Sequence, residues 1–206
     1  NVIKDFSKDE IFIWTKIPVL EVNKLKFLQK FGFYIVDTNI QLISKSFPKS
    51  KKNNSIRFAK PSDQISIRNI AKNSFKFSRF HSDPQIPYLT SCKIKEEWAG
   101  NYFSGKRGKW MIVVEYNSDV VGFLQLLSKD NKTIIIDLIA VDEKYRGKGF
   151  AKNMISFASL NCLDNLNQIE VGTQISNISS LNLYAKLGFL ISSSSYVLHF
   201  HQKKQK

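Results

Sequence analysis

Leu138-Ile139-Ala140-Val141-Asp142-Glu143-Lys144-Tyr145-Arg146-Gly147-Lys148-Gly149-Phe150-Ala151 is the stretch on which the reading of this chain turns. The apolar run to Val141 reads as a strand. Asp142 to Tyr145 form a short loop, and a helix is expected to start near Gly149. Glycines let the backbone turn closely, so that successive N–H groups converge on one point. A helix start adds unpaired donors and about half a positive charge. Arg146 and Lys148 add formal charge. Together these describe a cradle for an anion. A tight strand-to-helix loop is the plainer alternative for Gly147 and Gly149 taken alone. The stretch lacks the Gly-Lys-Ser/Thr of a P-loop and the third glycine of a dinucleotide fingerprint.

Working outward, strands are expected at 110–116, 120–128 and 133–141, joined by tight turns at Asn117-Ser118-Asp119 and Asp130-Asn131. A short strand at 55–59 and two helices precede them. The first helix is expected to be capped by Asp63 and to carry Ile67, Ile70 and Ala71 on one face; the second spans 91–103. A helix at 149–162, a strand at 169–173, a helix at 177–187 and a strand at 189–200 follow. Antiparallel strands come first and βαβ-type crossovers after them, which specifies an α/β fold with a mixed sheet and flanking helices.

Upstream, Val22, Leu25, Leu28 and Phe31 keep helical spacing up to Gly32, and a strand-like run covers 33–43. Phe27-Leu28-Gln29-Lys30-Phe31-Gly32-Phe33 parallels Leu183-Tyr184-Ala185-Lys186-Leu187-Gly188-Phe189 at a constant offset. The segment therefore reads as a partial copy of the closing helix-strand unit, with Leu28 where the second copy has Tyr184. Lys45 to Lys52, with Pro48 and several serines, reads as a solvated linker. The division expected is a small partial α/β segment with its linker at 1–54 and the main domain at 55–206. The chain begins at Asn1, which leaves room for native residues before it.

The formal charge is +14. Arginine occurs only at 57, 68, 79, 107 and 146, so the charge is mostly lysine, spread along the chain. Such a field attracts polyanions such as a nucleotide. No basic helix with interleaved aromatics stands out, so nucleic acid is not the expected partner. No apolar run approaches the ~20 residues that cross a bilayer. With no secretory pattern, a cytoplasmic location is expected. Cys92 and Cys162 form no motif and are expected to be buried free thiols. His81, His199 and His201 are too scattered for a metal site. His199 and His201 share one strand face and are expected at the surface.

The second informative stretch runs from Val171-Gly172-Thr173-Gln174 through Asn177 to Tyr184-Ala185-Lys186-Leu187-Gly188-Phe189. Asn177 is placed to cap a helix and Gly188 to close it. Spacing alone allows Tyr184 as a core residue. Arg146-x-x-Gly149-x-Ala151, with the strand before it and the helix after it, resembles the Arg/Gln-x-x-Gly-x-Gly/Ala signature of the GNAT N-acetyltransferase superfamily. Asn177, Tyr184 and Gly188-Phe189 are similar to that family's closing motif. The resemblance covers roughly residues 55–200. It implies a GNAT fold and acetyl-CoA as co-substrate, with no metal. It implies that the backbone from Arg146 through Gly147, Lys148, Gly149 and Phe150 to Ala151 binds pyrophosphate. It further implies that the strand at Ile139, Ala140 and Val141 binds the pantetheine, that Asn177 touches CoA, and that Tyr184 protonates the departing thiolate. A phenol suits that role, being a proton donor at neutral pH.

Within the superfamily, Phe77-Ser78-Arg79-Phe80-His81-Ser82-Asp83-Pro84, Gly172-Thr173-Gln174 and the N-terminal extension resemble the dTDP-fucosamine N-acetyltransferases. That branch implies transfer to the amino group of a nucleotide-linked deoxysugar, in surface-polysaccharide biosynthesis, by direct attack in a ternary complex. Arg79, His81 and Asp137 are the residues expected to meet the acceptor, although Arg79 can equally pair with Asp83 as a loop staple. Asp137, His81 and Glu170 are candidate bases, with a water relay as the alternative. A strand N–H near Ile139 is expected to stabilise the oxyanion. Other amine acceptors, such as peptides, remain the second reading and a basic nucleic-acid-binding protein the third. The oligomeric state is open, with a homodimer as the assembly considered.

Overall fold

The computed structural model describes residues 11–47 and 55–202. The lysine-rich linker read at 45–52 falls largely on residues 48–54, outside the described residues. The order is β1 (Ile11–Pro18), α1 (Val22–Lys30), β2 (Tyr34–Ser44), β3 (Ile56–Phe58), α2 (Gln64–Ser74), α3 (Tyr88–Gly100), β4 (Trp110–Tyr116), β5 (Asp119–Ser128), β6 (Thr133–Val141), α4 (Phe150–Asn161), β7 (Gln168–Gln174), α5 (Ile178–Lys186) and β8 (Leu190–Gln202). The strands form one sheet in the order β1-β8-β2-β7-β6-β5-β4-β3. Only β6 and β7 pair in parallel; the other pairs are antiparallel. This is the mixed α/β sheet expected.

The central strands carry apolar residues on both faces, because helices cover both. Ile112, Val114, Leu124 and Leu126 pack with Met154, Ile155 and Ala158 of α4. Met111, Val113 and Phe123 pack with Ile67, Ile70 and Ala71 of α2 and Ala99 of α3. Asn117 and Ser118 adopt positive φ (53° and 70°) between Tyr116 and Asp119. That is the two-residue turn read from their identities.

β6 changes face part-way. Ile134 and Ile136 belong to the α4 side, but Leu138 and Ala140 to the α2–α3 side. The cause is a bulge: Gln125 pairs with Leu138 and Leu126 with Ile136, which leaves Asp137 as the extra residue. A bulge bends its strand and interrupts pairing. β6 pairs with β7 only from Thr133 to Ile136. Beyond the bulge the two strands part, and their separation makes the cleft.

β1-α1-β2 repeats β7-α5-β8. Pro18 faces Ser195, Asn39 faces Gln174 and Asn39 also faces Ser195. At the offset that lays 27–33 on 183–189, Pro18 falls on Gln174 and Asn39 on Ser195. The four strands β1-β8-β2-β7 are thus related by a pseudo-twofold axis through the Asn39–Ser195 pair. Gly32 and Gly188 close the two equivalent helices with φ of 86° and 79°, as a helix-terminating glycine requires.

Three local expectations need correction. Ile11–Pro18 is a strand that the sequence reading passed over; Phe12, Ile13 and Trp14 are all exposed, so the inside–outside alternation seen from Thr15 to Pro18 does not extend over the first half of this edge strand. α3 starts at Tyr88 rather than 91 and ends at Gly100 rather than 103, because Pro87 starts the first turn and Tyr102 and Phe103 pack against the core beyond the helix end. Asp63 does precede α2, but its side chain makes no cap. Its carboxylate accepts instead from the Lys60 N–H at 2.7 Å and from Arg57.

Candidate active site

A cavity of about 760 Å³ lies where β6 and β7 separate. It is lined by Asp137 to Val141 on one side and by Val171 to Gln174 on the other. The Asp142 N–H donates to Val121 of β5. By the alternation of strand groups, the N–H and C=O of Val141 and Ile139 point the other way, into the cleft. Val141 C=O accepts from Arg146 Nε at 3.1 Å, which confirms its direction.

At the mouth, Gly147 and Gly149 have φ of 80° and 78°, and a Cβ at either would meet nothing within 4 Å. Gly149 is the N-cap of α4 and supplies no side-chain cap. The N–H groups from Gly147 to Lys152 have no acceptor among the described residues. Arg146 anchors the loop through Val141 and, at 3.4 Å, the Ser74 carbonyl. Its charge therefore sits beside the turn while its backbone closes it. Arg146, Gly147, Gly149, Phe150 and Ala151 line the cavity. Lys148 does not; its Nζ lies 4.7 Å from the Tyr116 ring centroid.

Asn177 caps α5, its Oδ1 accepting from the Ser180 N–H at 3.3 Å. Tyr184, one turn and more along α5, is 2 % exposed and packs on Phe189. Burial pushes its phenol well above the ordinary tyrosine range, which keeps it protonated. Both residues line the cavity with the open turn.

The acceptor candidates have separate fates. Asp137 lines the cavity, but both its oxygens are committed. They accept from Arg107 Nε and Nη2 at 2.7 and 2.6 Å, Trp98 Nε1 at 3.0 Å and Gln125 Nε2 at 3.0 Å. Those bonds hold the bulge. His81 does not line the cavity; it bonds Ser78 Oγ at 2.6 Å. Glu170 pairs with Lys129 at 2.7 Å. Arg79 does line it, and it does not pair with Asp83. Its guanidinium stacks on Trp14 at 3.6 Å. Its Nε is buried with no hydrogen-bond partner among the described residues, and burial lowers its pKa to about 10.

Asp83 is taken up elsewhere. His199 Nδ1 and His201 Nε2 lie 2.6 and 2.7 Å from its Oδ2, and the Tyr34 hydroxyl donates to Oδ1 at 2.7 Å. Burial opposes ionisation of Asp83, but hydrogen bonds from His199, Tyr34 and His201 outweigh it and hold the pKa at about 2. His199 is fully buried, which corrects its expected place at the surface. The network pins the 77–84 loop to β8 and β2. Cys92 and Cys162 are buried free thiols.

Several polar cavity residues escaped the sequence reading. Asp37 and Asn39 come from β2, Lys16 from β1 and Lys95 from α3. Lys16 Nζ donates to Asn39 Oδ1 at 2.9 Å. Lys95 is buried over the Trp98 ring at 4.4 Å, and burial lowers its pKa to about 8. A usable signal existed: Asp37, Asn39 and Gln41 fall on alternate positions of a strand that also carries Tyr34, Ile35, Val36, Ile40, Leu42 and Ile43, and all three line the cavity. A second cavity, of about 1050 Å³, shares Lys16, Arg79 and Trp98 with the first. Those three residues mark where the two spaces meet.

Comparison with known proteins agrees with this geometry. Over 205 residues the chain is 28 % identical to the spore coat polysaccharide biosynthesis protein SpsD of Bacillus subtilis (strain 168), covering 94 % of this chain and 68 % of that protein. The fold is similar to a functionally unknown conserved protein from Staphylococcus epidermidis, with a TM-score of 0.67, 16 % identity and coverage of 95 % of this chain and 73 % of the other. It is also similar to a tandem GNAT protein from the clavulanic acid biosynthesis pathway, with a TM-score of 0.60, 8 % identity and coverage of 96 % and 65 %. The model of the acetyltransferase (GNAT) family matches residues 66–189, so the chain belongs to the GNAT acetyltransferases, a family of acyltransferases.

Proposed function

We propose that this enzyme transfers the acetyl group of acetyl-CoA to the amino group of a nucleotide-linked amino-deoxysugar. The observation that carries the acceptor side is Arg79. Arg79 is half-buried, its Nε wholly so, and a partly desolvated cation with no carboxylate partner among the described residues is costly unless an anion completes it. Arg79 sits between the two cavities, with Lys16 and Lys95 beside it. Three cations there suit a diphosphate, and Arg offers the planar fork that phosphates fit. Trp14 and Trp98 in the second cavity offer apolar surface for the nucleoside. The name of SpsD places that relative in polysaccharide biosynthesis, which supports a sugar acceptor.

On the cofactor side, the open turn offers free N–H groups and the start of α4 to a pyrophosphate. The outward groups of Ile139 and the outward N–H of Val141 serve the pantetheine chain. The amine attacks the thioester carbonyl, an N–H of β6 steadies the oxyanion, and the Tyr184 hydroxyl gives its proton to the sulfur as the C–S bond breaks. A thiol-release assay across dTDP- and UDP-amino sugars, peptides and polyamines tests the reading. Release with the nucleotide sugars is expected. Tyr184→Phe is expected to cut kcat by on the order of 100-fold while leaving acetyl-CoA affinity within about 2-fold. Release with peptides or polyamines alone would overturn the acceptor assignment, and full turnover by Tyr184→Phe would remove the acid.

A further inference from the structure

Within the proposed reaction, on which this step rests, we infer that Asp37 is the general base: the carboxylate that β2 holds in the cavity, one oxygen without a donor, takes the proton of the acceptor's ammonium group.

β2 pairs with β8 through Ile35–Leu198 and then Asp37–Val197, so Val36 is the extra residue. From Asp37 to Gln41 the pairing is regular, so alternation puts Asp37, Asn39 and Gln41 on one face, the one that lines the cavity with Tyr184. Asp37 is 8 % exposed. Its Oδ1 accepts from the Thr38 N–H at 2.7 Å, while its Oδ2 is buried with no hydrogen-bond partner among the described residues. A buried carboxylate oxygen ordinarily has a donor. Here an ammonium N–H of the acceptor would supply it. Asp137, the other carboxylate lining this cavity, has donors on both oxygens.

The surroundings suit proton exchange near neutrality. Burial pushes the pKa of Asp37 up to about 6, against the opposing pull of the Thr38 N–H and of Lys16. A base is most effective when its pKa lies near the working pH. Lys16 of β1 is its charged neighbour, and Arg79 in turn acts on Lys16. Lys95 of α3 lines the same cavity; β8 places Val197 opposite, and β7 contributes the uncharged Thr173 and Gln174.

The proton count closes. The acceptor nitrogen starts as an ammonium and gives up two protons. The first goes to Asp37 Oδ2 and on to solvent. The freed lone pair forms the N–C bond, and the C–S bond breaks with its electron pair on sulfur. Tyr184 protonates that sulfur, and the second nitrogen proton restores the phenol.

The test uses the full chain, acetyl-CoA and a nucleotide-linked 4-amino sugar, with kcat/KM measured against pH for the wild type, Asp37→Asn and Lys16→Met. Acetyl-CoA affinity is measured alongside. Asp37→Asn keeps the Thr38 bond and is expected to bind acetyl-CoA within about 2-fold of wild type, lose on the order of 100-fold in kcat/KM and lose the acid limb near pH 6. Lys16→Met removes a cation that favours the carboxylate, so its acid limb is expected to move to higher pH. A merely structural Asp37 would leave the limb in place. Asp37→Asn with wild-type kcat/KM, or with a uniform loss and the limb unchanged, overturns the inference. A wild type that binds acetyl-CoA normally and transfers to no nucleotide sugar overturns the proposed function instead, and with it the role of Asp37 there.

Discussion

Two aspartates show how one residue type is set to different work by its neighbours. Asp137 and Asp37 both reach the same cavity beside strand bulges. Four donor contacts from Arg107, Trp98 and Gln125 turn the first into a brace. One backbone N–H leaves the second half-used. The difference has a consequence for stability. The unfolded Asp37 ionises near the ordinary aspartate value of 3.8, but the folded one only near 6. As pH rises through that window the unfolded state releases its proton first, so the native state loses stability. Asp37→Asn removes the penalty. Its Tm is expected to exceed wild type by about 2–4 °C at pH 8, roughly 1 kcal/mol, with the gap closing at pH 4. Thermal melts at the two pH values check this; equal Tm at pH 8 would show that the buried carboxylate costs nothing. Asn177 was legible as the cap of a helix that Gly188 closes, whereas spacing alone allowed Tyr184 as a core residue and only the family resemblance singled it out. Arg79 was legible as a residue but not as an unpaired charge, since Asp83 stands nearby in sequence and only the fold gives it to His199 and His201.

At the scale of elements, the site depends on one interrupted strand pair and one open helix start. The bulge at Asp137 ends β6–β7 pairing, and the cradle at Gly147–Gly149 follows directly. The strand, the glycines and the helix could all be read from 138–151, because each has a local signature. The bulge could not, because it shows only against the partner strand. β1 was missed for a similar reason: its exposed apolar residues follow no period. A β-branched residue at Gly149 would strain a backbone with φ of 78° by about 1–2 kcal/mol and place a side chain in the cradle. Gly149→Val is therefore expected to weaken acetyl-CoA binding at least about 10-fold by calorimetry, while lowering Tm only by several degrees. Unchanged affinity would mean that the turn does not hold the pyrophosphate.

At the scale of the molecule, the site is a joint product of two halves. The strands and helices after residue 55 supply the cradle, the cleft and Tyr184. The pseudo-twofold copy, β1-α1-β2, has Leu28 where its counterpart has Tyr184, yet it contributes Lys16, Asp37 and Asn39 to the same cavity. The repeat was visible in sequence, but its contribution was not, because the crossing of β2 between β7 and β8 is a matter of topology. Among the described residues no helix is long and apolar enough to cross a membrane. The central claim is that the acceptor is recognised through its nucleotide diphosphate, at Arg79, Lys16 and Lys95. Its most direct test is the ratio of kcat/KM for a nucleotide-linked amino sugar to that for the same amino sugar without the nucleotide, at fixed ionic strength. The account predicts a ratio on the order of 100 or more, since charge-assisted bonds to a buried diphosphate contribute about 1.5–3 kcal/mol each. A ratio near one would contradict it.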